Sequence, residues 1–421
     1  MSDAYEEIRR RVVSVVEERG IDVAGDRPVT RAVVGEAVDE YQRRAHLGRG
    51  RALADPAGMV ERVLRSVAEF GPLTGLLARD DLEEVFIEGS RVTYIDSTGR
   101  LRALDQPTSQ RENRQVIDRL LADSDRRLDA SSPLVQARVL ADTARLTAVI
   151  PPVSDHLSAT LRRYALRRES MDTMVERSAL STAAARFLWA VMQTTTSVVV
   201  SGPPGAGKTS LLSALMSAVP SGHCLRCCEE VRELHVPLVH GSYYEARPPA
   251  LDGGGEITLR DLVKLVLAMR PDRIVVGEVR GSEAFELTRA VNAGCGFACT
   301  VHANSAADAL DALVNAALMA GENVTERVVR KVFSSALDFV VHLDRDAAGE
   351  GPIRRRVMEI LAVVPSLRDD FSTQPIFTRS HLAAPLEWTG AMPPDALVGR
   401  IERSLGGSSL RLLMTSEEGA A

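Results

Sequence analysis

The segment Gly202-Pro203-Pro204-Gly205-Ala206-Gly207-Lys208-Thr209 has the spacing GxxxxGKT. It follows the apolar run Ser197–Val200 and opens the helical pattern Ser210–Val219. Glycines at these positions let the backbone curl so that its amides converge on a phosphate, and the N-terminus of the next helix adds positive partial charge. Lys208 is then placed to reach the β and γ phosphates, and Thr209 to ligate Mg2+. The expected nucleotide-binding residues are Gly202, Gly205, Ala206, Gly207, Lys208, Thr209 and Ser210. A chance Gly-rich turn has no need of the strand before it and the helix after it. The fold this unit implies is that of a nucleoside triphosphatase.

Two acidic elements are the natural partners of such a loop. Arg273-Ile274-Val275-Val276-Gly277-Glu278 is an apolar strand ending in a carboxylate, about 70 residues beyond the loop, and is expected to lie beside the loop's strand. Glu278 would hold the hydration shell of Mg2+ or order the attacking water. Glu229-Glu230-Val231-Arg232-Glu233 follows the strand Cys224–Cys228. In an open parallel sheet the carboxyl ends of strands face the ligand crevice, so one of these acids can polarise water for in-line attack. Spacing alone does not choose which. A solvated strand end and a charged surface turn are the plain alternatives. His302, after the strand Phe297–Thr300, is placed to sense a γ phosphate. Arg247, Arg260, Arg270, Arg273 and Arg280 lie between the acidic strip and His302. Guanidinium groups stabilise the spread charge of phosphoryl transfer, from the same or a neighbouring subunit. At least two of the five are expected to form ordinary ion pairs instead.

The elements that must position these residues are legible in periodicity. Residues 1–68 read as three short helices with charged outer faces: Ile8, Val12, Val15 and Val16, then Val33, Val34, Ala37, Val38 and Tyr41, then Val60, Val63, Leu64 and Val67. From 69 to 165 short alternating runs (Val85–Ile87, Val92 and Tyr94, Val135 to Val139, Leu146 to Ile150) surround a helix near 108–122, which is an α+β domain. Residues 166–180 are polar and read as a linker. From 181 to 365 helices alternate with the apolar strands Val198–Val200, Ile274–Val276, Phe297–Val301 and Phe339–Leu343, so a doubly wound parallel sheet is expected. Residues 366–421 read as a C-terminal extension with a Pro-rich piece and a final helix, Pro394–Leu405.

Composition narrows the partners. The chain has 421 residues, 45% of them hydrophobic and 26% charged, with a net charge of −6. That is globular, and mildly acidic. Binding nucleic acid over a whole surface needs net cations, and aromatic residues for stacking are only 4%, so a helicase or translocase is disfavoured. No stretch is apolar enough to cross a membrane. The opening MSDAYEEIRRR is charged from its third residue and reads as no secretory signal. The five cysteines, Cys224, Cys227, Cys228, Cys295 and Cys299, are odd in number and clustered, which points to a reducing, cytoplasmic setting. A zinc site at Cys224, Cys227, Cys228, His235 and His240 is disfavoured, because neighbours on a strand face opposite ways.

The strings GPPGAGKT, CEEVREL, EARPP, GEITLRDLVKLVLAMRPDRIVVGEVRG and CTVHANS, in this order, resemble the type II/IV secretion ATPase superfamily. The chain looks most like its CpaF/TadA branch, the motor of tight-adherence (Flp) pilus assembly. GPLTGLLARDDLEEVFIEGSRVTYIDSTGRL and RRLDASSPLVQARVLADTARLTAVIPP are similar to that branch's N-terminal domain, and the likeness covers roughly residues 65 to 365. The resemblance implies a RecA-like ATPase domain preceded by a PAS-like, sensor-like domain. It implies ATP and Mg2+ as ligands, a homohexamer with ATP between the two lobes, and a motor at the inner face of the membrane acting through platform proteins. It assigns Lys208 and Thr209 to the phosphate loop and Glu278 to the acidic strand end. Glu229, Glu230 and Glu233 become the acidic box, with Glu233 polarising water, and His302 the histidine box. Arg162 would reach the nucleotide from the first lobe, and Arg247, Arg260 and Arg280 would meet phosphate. The chain has Glu230 where the family usually has Asp, and Asn292–Phe297 lacks the usual Thr-Gly-His-Asp/Glu-Gly pattern, which alters the loop before His302. It also lacks the paired CxxC zinc element of type II secretion motors. A conjugative motor shares fold and motifs, and a low-turnover ring component is the reading that the altered loop favours.

Overall fold

Short polar residues fix where the helices begin. In the first of two compact units, Met1–Ala165, helix α1 (Ser2–Arg19) is followed by α2 (Arg27–His46) and α3 (Pro56–Ala68). Asp26 and Asp55 accept the backbone N–H of Val29 and Gly58, and a proline stands in the first turn of each helix, where no N–H is needed. Tyr5, Ile8, Val12, Val33, Val34, Val38 and Val63 close a bundle core. A short α4 (Thr74–Leu77) leads into β1 (Leu82–Glu88), β2 (Arg91–Asp96), β3 (Leu101–Ala103), α5 (Gln110–Leu121), β4 (Leu134–Val139), β5 (Ala144–Val149) and β6 (Ser158–Arg163). These strands form an antiparallel sheet in the order β3-β2-β1-β6-β5-β4. Val85, Ile87, Leu146, Ala148, Ala159 and Leu161 alternate inward beneath α5. Ser109 and Glu112 form a reciprocal cap on α5, and the buried Glu112 carboxylate also takes a bidentate grip from Arg62 on α3. That ties bundle to sheet.

The second unit, Leu166–Ala421, begins with α6 (Met171–Glu176) and α7 (Thr182–Met192). It continues through β7 (Val198–Gly202), α8 (Lys208–Ser217), β8 (Leu225–Glu229), β9 (Gly241–Glu245), α9 (Leu259–Leu267), β10 (Arg273–Val276), α10 (Glu283–Asn292) and β11 (Gly296–His302). It ends with α11 (Ala306–Leu318), α12 (Glu326–Ala336), β12 (Phe339–Arg345), β13 (Arg355–Val364), β14 (Ser372–Thr378), β15 (Glu387–Trp388), α13 (Asp395–Ser404) and α14 (Leu410–Thr415). The computed structural model describes residues 2–23, 25–124, 126–164, 169–234, 236, 238–247, 249, 254–321, 325–346, 353–365 and 370–415. Among the described residues the sheet order is β15-β14-β13-β12-β7-β11-β10-β8-β9, parallel from β12 to β9 and antiparallel beyond β12. Successive residues serve opposite faces. Val198 and Val200 enter one core and Val199 the other, and Cys227 and Cys228 divide in the same way. Burial pushes the Cys228 thiol up to about 12 and Cys299 still higher, so these are apolar core residues.

The strand carrying Glu278 is not the neighbour of the loop's strand. β11 stands between β7 and β10 and pairs with both, Thr300 opposite Val200 and Ala298 opposite Val275. Separation along the chain does not set adjacency in a sheet. The hydrogen-bond register does, and β11 is buried on both faces from Gly296 to Val301. Gly296 permits the entry, since a Cβ there would collide with the Thr195 carbonyl. Two further segments differ from expectation. The stretch read as a linker holds α6, whose Met171 and Met174 join the second unit's core. The described part of the C-terminal extension adds β14 and β15 to the same sheet and packs Ile401, Leu410 and Met414 into the same core. Replacing Gly296 by Ala is expected to cost about 1–3 kcal/mol of stability, the range for overpacking a filled site. Urea unfolding followed by circular dichroism checks this.

Candidate active site

The phosphate loop is shaped by three backbone positions that an L side chain resists. Gly202 has φ +153°, and a Cβ there would lie 2.5 Å from the Leu343 carbonyl oxygen, so β12 runs hard against the base of the loop. Gly205 and Gly207 have φ +74° and +91°. Gly207 is the N-cap of α8, and no side chain caps this helix among the described residues. Its first-turn amides are thus left for an outside acceptor. Ala206 is fully buried and turns the loop by donating its N–H to Pro203 O at 3.3 Å. Thr209 and Ser210 are half-buried in the first turn.

Lys208 is buried, and its ammonium donates to Gly202 O at 3.0 Å and Pro203 O at 3.2 Å. The third near atom is Nδ1 of His302, 3.1 Å away. An ammonium only donates, so Nδ1 is the acceptor and the neutral imidazole carries its proton on Nε2. Nε2 faces Glu278 Oε1 at 2.5 Å, out of line for a hydrogen bond. Burial lowers the His302 pKa and the Lys208 charge lowers it further, against the opposing pull of Glu278. Burial would raise Glu278, but the hydrogen bond and charge of Arg280, with His302 and Lys208, hold it below the usual carboxylate range. Arg280 Nη2 donates to Glu278 Oε2 at 2.7 Å, and Nη1 lies 3.6 Å from Glu230 Oε2. The turn presenting Arg280 is fixed by Glu283, which accepts the N–H of Arg280 and of Gly281. The tips of β7, β11, β10 and β8 thus carry cation, neutral imidazole, anion, cation and anion in sequence. The altered loop leads into β11 and so to His302. Gly294 turns at φ +76°, Cys295 N–H closes on Ala290 O, and β11 then runs unbroken to place His302 opposite Gly202.

The acidic strip divides by role. Glu229 ends β8 buried, accepting the N–H of Glu233 and of Leu234 at 3.1 Å. It packs so closely on Gly277 that a Cβ there would lie 2.7 Å from Glu229 Cγ. Burial raises its pKa to about 7, against those two hydrogen bonds. Glu229 therefore shapes the turn, while Glu230 is exposed and Glu233 half-buried. Arg232 stacks over Tyr243 at 4.3 Å.

The other arginines have surroundings of their own. Arg273 is wholly buried at the start of β10, away from the strand tips, and donates to Thr194 O. Burial lowers its pKa to about 10, and it is a core residue, not a phosphate ligand. Arg270 precedes the same end of β10. Arg260 on α9 is paired with the buried Glu286 at 2.9 Å, and Arg247 donates to Gly255 O at 2.6 Å. Arg162, on β6 of the first unit, lies 3.6 Å from Glu84. His235 lies outside the described residues, among which no metal-binding cluster of His, Cys, Asp or Glu occurs.

Three neighbours of the loop were not legible in local spacing. Ser201 Oγ meets buried His342 Nδ1 at 2.9 Å behind the loop. Arg345, at the end of β12, lies over Gly205, and Arg355, opposite it on β13, lies by Gly207. Only the pairing of β12 with β7 brings them here, about 140 residues along the chain.

Residues 69–356 match the family model described as Type II/IV secretion system protein. A putative conjugal transfer protein of Mycobacterium tuberculosis, Rv3659c, is 32% identical over 298 residues, which is 69% of this chain and 83% of that protein. Conjugal transfer protein TrbB of Rhizobium radiobacter is 26% identical over 58% of this chain and 72% of its own length. Among solved structures, the Yersinia pseudotuberculosis ATPase DotB aligns with a TM-score of 0.50 at 16% identity, over 69% of this chain and 77% of that one, a likeness of fold. The chain belongs to the type II/IV secretion system protein family. No described helix is long and apolar enough to cross a membrane.

Glu229 gives the site a pH signature. Its folded-state value of about 7 lies above that of an ordinary glutamate, so the fold binds the extra proton. The stability this contributes is full below about pH 4.5 and is lost as pH rises through about 7. Glu229→Gln keeps an acceptor for the two N–H groups and has no charge to bury. The variant is expected to lose less stability than the parent between pH 5 and pH 8, by about 2–3 kcal/mol, measured by urea unfolding at both values.

Proposed function

We propose that this chain is the cytoplasmic ATPase motor of a pilus-assembly machine of the tight-adherence (Flp) type, working as a homohexamer through platform proteins of the membrane. What supports the hydrolytic part is the contact chain from Lys208 through His302 and Glu278 to Arg280, which joins the phosphate loop to the acidic strand tip. On binding ATP, Lys208 exchanges the carbonyls of Gly202 and Pro203 for phosphate oxygens, and the uncapped amides of α8 take up the remaining charge. Glu229 holds the turn that presents Glu233, the proposed acceptor of the attacking water's proton. Arg280 restrains Glu278 until a ligand competes for it.

The residues present fit Mg2+. Thr209 offers a hydroxyl and Glu278 a carboxylate, both hard oxygen donors, and Glu278 Oε1 is buried without a hydrogen-bond partner. These two would hold the ion, which when bound neutralises charge on the β and γ phosphates. The pilus assignment rests on the RPDRIVVGEVRG and TVHANS strings and on the similarity of the N-terminal domain to that branch, which the proposal reads as a PAS-like sensor module. A conjugative secretion motor is the second reading, favoured by relatives named conjugal transfer proteins.

Phosphate release from purified protein with Mg2+ and ATP tests the enzyme. Lys208→Ala is expected to lower turnover at least about 100-fold through lost charge stabilisation. Glu278→Gln and Glu233→Gln should still bind ATP while turnover falls about 100-fold or more. Tight binding without turnover in the parent would favour the low-turnover ring component. A gene deletion separates the two machines: loss of surface pili supports the first reading, and loss of DNA transfer with pili intact supports the second.

A further inference from the structure

Arg345 occupies an unusual place for a cation. It ends β12, the strand adjoining the phosphate-loop strand on the side away from His302. A Cβ built on Gly205 would lie 3.5 Å from Cζ, 3.5 Å from Nη1 and 3.6 Å from Nε of Arg345. Three nearly equal distances mean that the guanidinium plane lies flat over Gly205. The guanidinium thus borders the loop on an exposed side chain. Among the described residues Arg345 makes no side-chain ion pair. Opposite it in the β12–β13 register stands Arg355, whose Cδ is 3.8 Å from the Cβ position of Gly207. Like charges directly opposite on an antiparallel pair are unfavourable, yet both lean over the glycines whose amides would hold phosphate.

We propose that Arg345 is a phosphate ligand of the nucleotide bound in the same subunit, contacting oxygens of the phosphates that the amides of Gly205 and Gly207 hold. The inference rests on the reading of residues 202–209 as a nucleoside triphosphate site. It adds a cation on the β12 side to Lys208 on the β11 side, so the phosphate chain is gripped from both flanking strands. A guanidinium suits this place because its planar donors bind two oxygens at once, and its charge persists at every relevant pH.

Titration calorimetry of the full chain with Mg-ADP and with a slowly hydrolysed Mg-ATP analogue tests it. Arg345→Ala is expected to raise Kd about tenfold for both, the range of one charge-assisted hydrogen bond, and Arg345→Lys to recover part of the loss. The Kd of the parent should also weaken more steeply with added KCl than that of Arg345→Ala, because one exposed charge contact is missing from the variant. A purely structural role would not change that slope, and Arg345 is exposed, so the melting temperature without nucleotide should stay the same. Unchanged Kd values in Arg345→Ala, with binding abolished in Lys208→Ala, would overturn the inference and leave the loop's reading standing. No nucleotide binding by the parent would overturn both.

Discussion

A buried ammonium seated in its own loop organises the second unit. Lys208 is held by two carbonyls of its own loop and by an imidazole nitrogen, and each of these partners has a structural requirement behind it. The carbonyls point inward only because Gly202 takes a φ no side chain favours, pressed against Leu343. The imidazole arrives only because β11 lies directly beside β7, with His302 opposite Gly202. That adjacency in turn requires a strand thin enough at Gly296 to pass the Thr195 carbonyl. The sheet order and the lysine are therefore coupled through His302.

The phosphate loop and the acidic and imidazole strand tips could be read from the chain because each is local. The glycines, the lysine and the helix start sit within one turn, and Glu278 and His302 each follow their own apolar run. Helix and strand positions are legible for the same reason, as with α13, expected at Pro394–Leu405 and observed at Asp395–Ser404. What stayed hidden depends on lateral order. An apolar run such as Phe297–Val301 reads the same at any position in a parallel sheet, so nothing in it says that it separates β7 from β10. Arg273 looks like any other arginine near a strand until the sheet shows that it heads the end opposite Glu278. Arg345 was overlooked for the complementary reason: it lies far along the chain from the loop, and only the β7–β12 pairing brings it back.

The acidic strip shows how one residue type is put to two uses by burial alone. Glu229 and Glu233 are four residues apart, and spacing gave no ground for ranking them. In the fold, Glu229 is fully enclosed and accepts the N–H of Glu233 itself, so the first acid is spent on positioning the second. Its Cγ also fills the space where a side chain on Gly277 would stand, and Gly277 directly precedes Glu278. The turn that carries Glu233 and the strand tip that carries Glu278 therefore pack through a single carboxylate whose pKa lies near neutrality. Deprotonating Glu229 puts a charge into that contact, met by the N–H groups of Glu233 and Leu234 and by the nearby charge of Arg232. Glu229 thus links the position of Glu233 to that of Glu278 through packing and two backbone N–H groups.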